Sequence, residues 1–382
     1  MKIKYLLILI FLTTSCKSQD KSFFEFDPKS LLGNEITLAE IADDISYIPL
    51  DNSFPIGLIY DNNLKLVNNI IYLSVKDIGI LKFNINGKLL TKIGSIGRGP
   101  GEYTYFKYFT VDEHTGTIYV EDSGNIVKVY SGSGSFLRRF SLKEYGGSLD
   151  ALDSNDSKLF VTYMLQFNDA KYDWIVLDTL GNLILKKDRS IPAFYSNWLE
   201  GGGTYIFDHN ISYWNQYGDT VFSISPELRE KPSFIFSRGN YRLPKSTIGD
   251  PNLLKQYLHV QQIFETSHFL AIYYFYEKRA FVLIDKKNRN TFISYLGSDG
   301  NGGIFNDLDG GTVFLPESYY VENGREYMVG LITPYKLKDF IASKEFTNST
   351  PKYSEKNKEL VKLASSIKET DNPILVLIRL KI

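Results

Sequence analysis

A glycine-rich loop carries three side chains that could contact a ligand. Residues 96–103 read IGRGPGEY, in which the glycines permit positive φ and the proline fixes a tight turn. Arg98, Glu102 and Tyr103 supply a cation, a carboxylate and a phenol, and we predict them as ligand-binding residues. In the alternative interpretation an Arg98–Glu102 pair holds the turn, and Tyr103 packs between the structural units that the loop joins.

An acidic segment near the C-terminal third could bind calcium. Residues 299–310 read DGNGGIFNDLDG and are rich in oxygen ligands. The segment departs from the EF-hand pattern, because Gly303 stands where the fifth position needs Asp or Asn and no Glu closes the loop. We therefore expect a solvated loop and no metal site or cofactor, with calcium as the alternative.

The other reactive residue types form no catalytic pattern. The four histidines, His114, His209, His259 and His268, have neither an i, i+4 nor a His-x-His spacing, so a zinc site would need distant loops. Neither a Gly-x-Ser-x-Gly elbow nor a Walker loop occurs. We predict no catalytic residue, although the sequence leaves enzymatic activity open.

The N-terminus has the features of an export signal with a lipid attachment site. A basic start, Met1–Lys4, precedes a short apolar run, Tyr5–Leu12, which is too short to span a bilayer. The small residues TTS follow at 13–15, and then the single cysteine of the chain, Cys16, as in a bacterial lipobox. We predict a signal peptide over 1–15, a lipid on Cys16 that binds the membrane, and a tether over 16–34; the alternative is a plain signal peptide with an incidental cysteine.

Two clusters of aromatic residues could stack on sugars or peptides. In strands, however, such residues mostly pack in the interior, so packing is the favoured interpretation. The clusters are Trp198, Tyr205, Tyr213, Trp214 and Tyr217, and then Tyr273, Tyr274 and Tyr276.

Composition argues for sheet structure and against nucleic-acid binding. The chain of 382 residues holds 27 Tyr and 26 Phe, residue types that suit pleated, half-buried surfaces. Its 43 Lys and Arg balance 44 Asp and Glu, and no dense basic stripe occurs. We therefore expect no nucleic-acid partner.

The candidate ligand-binding residues lie within a sequence repeat of 47 residues. Gly87, Gly134 and Gly181 stand 47 residues apart, each in a polar turn before an apolar run, and Phe83, Tyr130 and Leu177 keep the same spacing. A repeat of 40–50 residues made of short strands is typical of a β-propeller blade. Loop 97–103 then joins two blades on the face where the central channel opens.

Past residue 188 the spacing is lost, but strand patterns continue. We predict a fourth and a fifth blade over 204–236 and 263–295, and a sixth that begins at Thr312–Leu315 and Glu326–Ile332. Helical patterns interrupt them at 244–259 and 354–368. Because a ring must hide its open edges, Ile45–Leu50 and Ile374–Leu380 are predicted to complete the last blade together. Length alone leaves six or seven blades.

Four segments resemble the six-bladed β-propeller lipoprotein family of Bacteroidetes, which is similar to NHL and TolB-like propellers. They are the IGRGPGEY loop, Asp44–Leu50, Gly218–Phe222 and Asp371–Leu377. The resemblance covers nearly the whole mature chain. It implies an all-β fold over 35–382, with six four-stranded antiparallel blades closed by the N- and C-terminal strands and with short helical insertions.

Fold does not supply function, so three hypotheses stay open. The favoured one is a lipid-anchored outer-membrane protein of the cell envelope that binds a small ligand, glycan or protein partner without catalysis. The second is a calcium-dependent hydrolase, similar to six-bladed lactonases and esterases, with its site in the channel. The third is a structural subunit of an outer-membrane uptake assembly.

Overall fold

A computed structural model gives the fold of most of the chain. The predicted signal peptide, Cys16 and the first part of the predicted tether lie outside the described residues. The structure describes residues 24–31, 33–57, 59–167, 169–198, 201–237, 241–297 and 302–381.

The described residues form six blades of four antiparallel strands each, and a short parallel strand is added to the edge of one of them. Before the first complete blade come β1 (Glu25–Phe26), α1 (Leu38–Ile41) and β2 (Ala42–Pro49). Blades one to three contain β3 (Ile59–Val67), β4 (Ile70–Val75), β5 (Gly79–Asn84), β6 (Leu89–Ile93); β7 (Phe106–Val111), β8 (Ile118–Asp122), β9 (Ile126–Tyr130), β10 (Phe136–Ser141); and β11 (Leu149–Asn155), β12 (Lys158–Tyr163), β13 (Tyr172–Leu177), β14 (Leu183–Asp188).

Blades four and five have the same strand order, and blade six is completed from both ends of the chain. Blade four contains β15 (Gly203–Phe207), β16 (Asn210–Trp214), β17 (Thr220–Ile224) and β18 (Glu230–Phe236). Blade five contains β19 (His259–Glu265), β20 (Phe269–Tyr276), β21 (Lys278–Asp285) and β22 (Thr291–Tyr295). Blade six contains β23 (Ser318–Glu322), β24 (Arg325–Ile332), β25 (Ile374–Leu380) and the early strand β2. Three α-helices, α2 (Pro334–Ile341), α3 (Lys344–Thr347) and α4 (Ser354–Ser366), connect β24 to β25. Short 3-10 helices occur at Lys143–Tyr145 and Pro251–Gln256.

The first strand of each blade lies innermost, and these strands contact one another in a closed ring, β3–β7–β11–β15–β19–β23 and back to β3. The ring closes where β2 pairs with β25, for example Tyr47 opposite Val376. The prediction that the two ends of the chain complete one blade is therefore confirmed, and the fold is a six-bladed β-propeller.

The antiparallel order separates the connections into two faces. On the face that we call the lower face, tight turns join the first strand to the second and the third to the fourth. Asn68 and Asn69, with φ of 50° and 61°, form one of these turns, as expected for a two-residue hairpin. The upper face carries the connections between blades, among them the long segments 189–202, 237–258 and 296–317. Recognition surfaces can be built there because these segments are longer than turns.

The structure corrects the start of blade six. Thr312–Leu315 is not a strand of that blade; Phe314 makes only an isolated bridge with Ile304, and the innermost strand is Ser318–Glu322. The helix predicted near 354–368 is present as α4, and the helical pattern before His259 is a 3-10 helix. Helix α2, which the sequence pattern did not predict, begins with a Thr333 cap whose hydroxyl accepts from the Lys336 N–H.

The described part of the segment predicted as a tether packs against the ring. Strand β1 pairs in parallel with β18, so it covers the outer edge of blade four, and Phe26 is fully buried against Phe236 and Tyr274. Asn34 then bridges to Phe292 of blade five. Within the described residues, no helix is long and apolar enough to cross a membrane.

Candidate functional site

The central channel holds a cavity of about 340 Å³ that all six innermost strands line. Its walls mix aromatic and aliphatic side chains with a smaller number of polar groups, as is usual in small-molecule sites. The polar and aromatic side chains include Lys65, Tyr108, Asp150, Asp153, Thr204, Tyr205, Gln261, Gln262 and Tyr319.

An ion pair crosses this channel. Lys65 Nζ of blade one lies 2.7 Å from Asp153 Oδ1 of blade three, and the Thr204 hydroxyl of blade four donates to Asp153 Oδ2. The Lys65 Nζ also lies 5.9 Å from the centre of the Phe109 ring of blade two. Three blades therefore contribute donors and acceptors to one group, and the fourth contributes an aromatic ring beside it.

A second carboxylate lies towards the upper end of the channel. The Gly202 N–H donates to Asp150 Oδ2, and Asp150 is only 4% exposed. Burial raises the pKa of Asp150 to about 6, while the Gly202 hydrogen bond and the charge of Lys107 act in the opposite direction. Half-buried Glu121 nearby accepts from the Lys107 N–H at 3.3 Å, and desolvation raises the pKa of Glu121 to about 7. Two carboxyl groups with raised pKa values thus lie near one lysine.

Three consecutive glycines, Gly201–Gly203, allow the connection between blades three and four to pass close to Asp150. A Cβ on Gly201 would lie 1.6 Å from Asp150 Oδ1, and one on Gly202 would lie 1.7 Å from the Trp214 carbonyl oxygen. A side chain would therefore collide with Asp150 or with the β16 backbone. The glycines at 201–203 are needed because the connection from blade three to blade four lies directly against the channel wall.

The predicted residues Arg98, Glu102 and Tyr103 lie on the upper-face connection between blades one and two, and none of them lines the channel cavity. Tyr103 is fully buried, and its hydroxyl donates to the Ile93 carbonyl at 2.7 Å and accepts from the Ile80 N–H at 3.1 Å. Glu102 accepts from the Gly99 N–H at 2.8 Å, which lowers its pKa. Arg98 is exposed. The ligand-binding role of these three residues stays a prediction.

The base of this loop is fixed by a buried ion pair. Lys128 Nζ lies 2.9 Å from Asp122 Oδ2, with both side chains less than 10% exposed, and it also donates to the Glu102 carbonyl oxygen. Asp122 Oδ1 accepts from the Thr104 N–H at 2.9 Å and from the Thr104 hydroxyl at 3.0 Å. These contacts hold the loop in place and leave Arg98 as its exposed charged group.

The segment proposed as a calcium loop is used for packing where the structure describes it; residues 299–301 lie outside the described part. Asp309 is fully buried and accepts from Asn306 Nδ2 at 2.7 Å and from the Gly311 N–H at 2.9 Å. Burial raises the pKa of Asp309. Asp307 accepts from the Ala39 N–H at 2.7 Å. The expectation of a solvated loop is therefore wrong for Asp309 and its neighbours.

One of the four histidines, His259, and most of the clustered aromatic residues are buried. His259 is 1% exposed and lies 4.9 Å from Trp198, ring centre to ring centre; burial lowers its pKa to about 4. Most of the clustered aromatics, among them Tyr205, Tyr213 and Trp214, are buried. Across the described ranges, no group of three or more His, Cys, Asp or Glu side chains is arranged to hold a metal ion.

The sequence did not identify Lys65, Asp150 or Asp153 as site residues. Asp150 and Asp153 are three residues apart and would face opposite sides of a regular strand. A β-bulge between Leu149 and Ala151 inserts one residue in β11, so both carboxylates can face the channel. Two features of the sequence could have indicated the channel site: the three glycines at 201–203, and the two aspartates in an otherwise apolar strand pattern.

Comparisons with known proteins identify the family of the chain and a solved structure of similar fold. A family model described as "Domain of unknown function (DUF4934)" matches residues 23–379. A Bacteroides fragilis protein described as exported is 19% identical, covers 94% of this chain and 99% of its own, and superposes with a TM-score of 0.67. A member of the DUF4221 family from Bacteroides vulgatus is 13% identical over 92% of this chain and 99% of its own, with a TM-score of 0.49. No curated protein matches the sequence.

Proposed function

We propose that this chain, which belongs to the family described as Domain of unknown function (DUF4934), is a binding module of the cell envelope. Its ligand is a small, hydroxyl-rich molecule such as a sugar or a short glycan, held in the central channel. The binding involves no chemical step. The observation that carries the proposal is the Lys65–Asp153–Thr204 group, which places donors and acceptors from three blades in one cavity.

The chemistry of the cavity favours a neutral ligand with many hydroxyl groups. Lys65 and Asp153 already neutralise each other, so a ligand need not bring a compensating charge. An ammonium group, a carboxylate and a hydroxyl within one cavity can serve a partner that both donates and accepts hydrogen bonds. The volume of about 340 Å³ lies at the small end of the ~300–1,000 Å³ common for small-molecule sites.

The proposed location is the outer membrane, through a lipid on Cys16. The proposal is supported by the basic, apolar and small-residue segments that precede the single cysteine. The similar Bacteroides fragilis protein is described as exported, which agrees with an envelope location. Several acyl chains on one cysteine would anchor the ring without a spanning helix.

The ligand proposal is tested by calorimetric titration of the purified full chain with a panel of neutral mono- and disaccharides. We expect saturable binding of at least one of them. Asp153→Asn and Lys65→Met should each weaken it by about tenfold or more, which corresponds to about 1.4 kcal/mol.

The matched control is the exposed pair of Lys158 and Asp156 near the lower face, whose Nζ and Oδ2 atoms are 2.6 Å apart. Asp156→Asn and Lys158→Met should leave binding unchanged. If no sugar binds, or if the control variants weaken binding as much as the channel variants, the proposal is wrong.

A further inference from the structure

The repeat places an apolar residue at the same exposed position of three consecutive blades. Leu90, Leu137 and Ile184 stand 47 residues apart, each is the second residue of an outermost strand, and they are 48%, 51% and 46% exposed. Three further apolar residues of blade three extend this set, which we call the leucine rim: Leu180, Leu183 and Leu185 at 62%, 40% and 37% exposure. Exposed apolar side chains at one repeated position of neighbouring blades, with four of the six on blade three, offer a surface for interaction.

The leucine rim is accompanied by positive charge. The outermost strands of blades one to three and the turns before them, residues 85–93, 131–141 and 178–188, contain six Lys and Arg residues and two acidic residues, Asp178 and Asp188. Lys88, Arg139 and Lys186 among them are exposed. The chain as a whole has a net charge of −1, whereas these three segments together carry an excess of four positive charges. Apolar side chains beside Lys and Arg are typical of proteins that lie on an anionic membrane surface.

The equivalent positions of Leu90, Leu137 and Ile184 determine how a flat membrane could contact them. The three residues are equivalent in their blades, so they lie at the same height along the channel axis, close to the lower-face turns that precede each strand. A plane that touches all three is therefore perpendicular to the axis. A flat membrane can contact the whole leucine rim only with the lower face turned towards it.

The N-terminal segment enters the ring from the same side. Strand β1 runs parallel to β18, from the lower towards the upper face, and the Ile235 N–H donates to the Phe24 carbonyl oxygen at 2.9 Å. Arg289, in a lower-face turn of blade five, lies 4.8 Å from the Phe24 ring centre. Cys16 precedes Phe24 by eight residues, a length that spans at most about 29 Å. A lipid on Cys16 would thus hold the ring close to the bilayer.

We infer that the propeller contacts an anionic membrane surface through its lower face. The leucine rim then lies in the headgroup region, and the upper-face connections face away from the bilayer. The inference rests on the lipid anchor of the proposed function. It goes beyond that function because it fixes which end of the channel is open to ligands from the surrounding compartment.

The orientation is tested with the lipidated full chain in vesicles of equal parts phosphatidylcholine and phosphatidylglycerol. Because Cys16 is the only cysteine and carries the lipid, an introduced cysteine is the one thiol that takes a fluorescent label. Leu137→Cys and Leu180→Cys probe the leucine rim. Tyr195→Cys and Leu253→Cys, which are 56% and 40% exposed in upper-face connections, are the matched controls.

With a quencher attached to the lipid headgroups, we expect the labels at 137 and 180 to lose about half of their fluorescence or more, and those at 195 and 253 to stay unquenched. In vesicles of phosphatidylcholine alone the quenching at 137 and 180 should decrease. Equal quenching at all four positions, quenching confined to 195 and 253, or none at any position would overturn the orientation.

Flotation of the same vesicles separates the two proposals. Protein that floats but shows no difference between the labels contradicts the orientation and leaves the lipid anchor intact. Protein that does not float contradicts the anchor, and the orientation with it. The saccharide titration does not depend on either result.

Discussion

Lys65 and Asp153 form an ion pair across the central channel, with Nζ and Oδ1 2.7 Å apart, although 88 residues separate them in the chain. The pair joins blade one to blade three past blade two, whose Phe109 ring lies beside the ammonium group. The contact can form only when three blades have assembled around the axis. It therefore reports both on the assembly of these three blades and on the cavity that we propose as the binding site.

Removal of both partners of this pair should destabilise the ring by less than the sum of the two single removals. Lys65→Met leaves Asp153, whose side chain is 10% exposed, without its cation. We expect a loss of about 1–3 kcal/mol in the free energy of unfolding, and a smaller loss for the double variant Lys65→Met, Asp153→Leu than the sum of the two single losses. Urea unfolding of the four proteins measures this coupling. Strict additivity would show that the two groups do not interact.

The stability of the protein should depend on pH through Asp150. The pKa of Asp150 is about 6 in the folded protein against 3.8 in the unfolded chain, so the folded state binds this proton more tightly. The free energy of unfolding therefore falls as pH rises from about 4 to above 6. Asp150→Asn removes this charge and keeps an acceptor for the Gly202 N–H. The stability of this variant relative to wild type should increase over that range, by up to about 3 kcal/mol.

Thermal or urea unfolding at a series of pH values gives the comparison. Glu121, whose pKa is raised to about 7, and the neighbouring Lys107 are present in both proteins, so their titration largely cancels in the difference. A difference between variant and wild type that stays constant from pH 4 to pH 7 would contradict the assigned pKa of Asp150.

Gly202 should not tolerate a side chain. Its Cβ would lie 1.7 Å from the Trp214 carbonyl oxygen, so the connection between blades three and four would have to move. We expect Gly202→Ala to cost about 1–3 kcal/mol and to lower the melting temperature. Gly249→Ala is the control, because nothing lies within 4 Å of its Cβ position. Equal melting temperatures for the two variants would show that the close approach at Gly202 is not required.

The hydroxyl of Tyr103 should contribute to the junction of blades one and two. Tyr103→Phe leaves the Ile93 carbonyl and the Ile80 N–H without their partner inside the protein. The expected loss is about 1–3 kcal/mol in the free energy of unfolding, measured in urea. Tyr105→Phe, at a side chain that is 56% exposed, should have little effect. If Tyr103→Phe weakens saccharide binding without a loss of stability, the ligand-binding role predicted for the loop gains support instead.

Phe26 should be part of the folded core although it lies in the segment predicted as a tether. It is fully buried against Phe236 and Tyr274, so Phe26→Ala should cost about 3–5 kcal/mol. Phe305→Ala, at a residue that is 54% exposed, is the control. A similar unfolding midpoint for both variants would mean that strand β1 is not needed for the stability of blade four.

The repeat made most of the architecture predictable. Equal spacing of Gly87, Gly134 and Gly181 gave three blades, because each turn must recur at the same place in equal units. The pairing of Ile45–Leu50 with Ile374–Leu380 followed from the need to cover two open edges. The first strand of blade six was placed too early, at Thr312–Leu315, because an apolar run in a connection between blades has the same composition as a strand.

The sequence by itself determined the sheet-rich composition, the repeat, the closure of the ring by its two ends and the features of an export signal, because each depends on local pattern or on spacing along the chain. The channel group was decided only by the tertiary structure. Lys65 and Asp153 meet because the ring brings distant strands to one axis, and Asp150 faces the same cavity because a β-bulge changes the alternation of β11. Spacing along one strand carries no information about which side chains face each other across a channel.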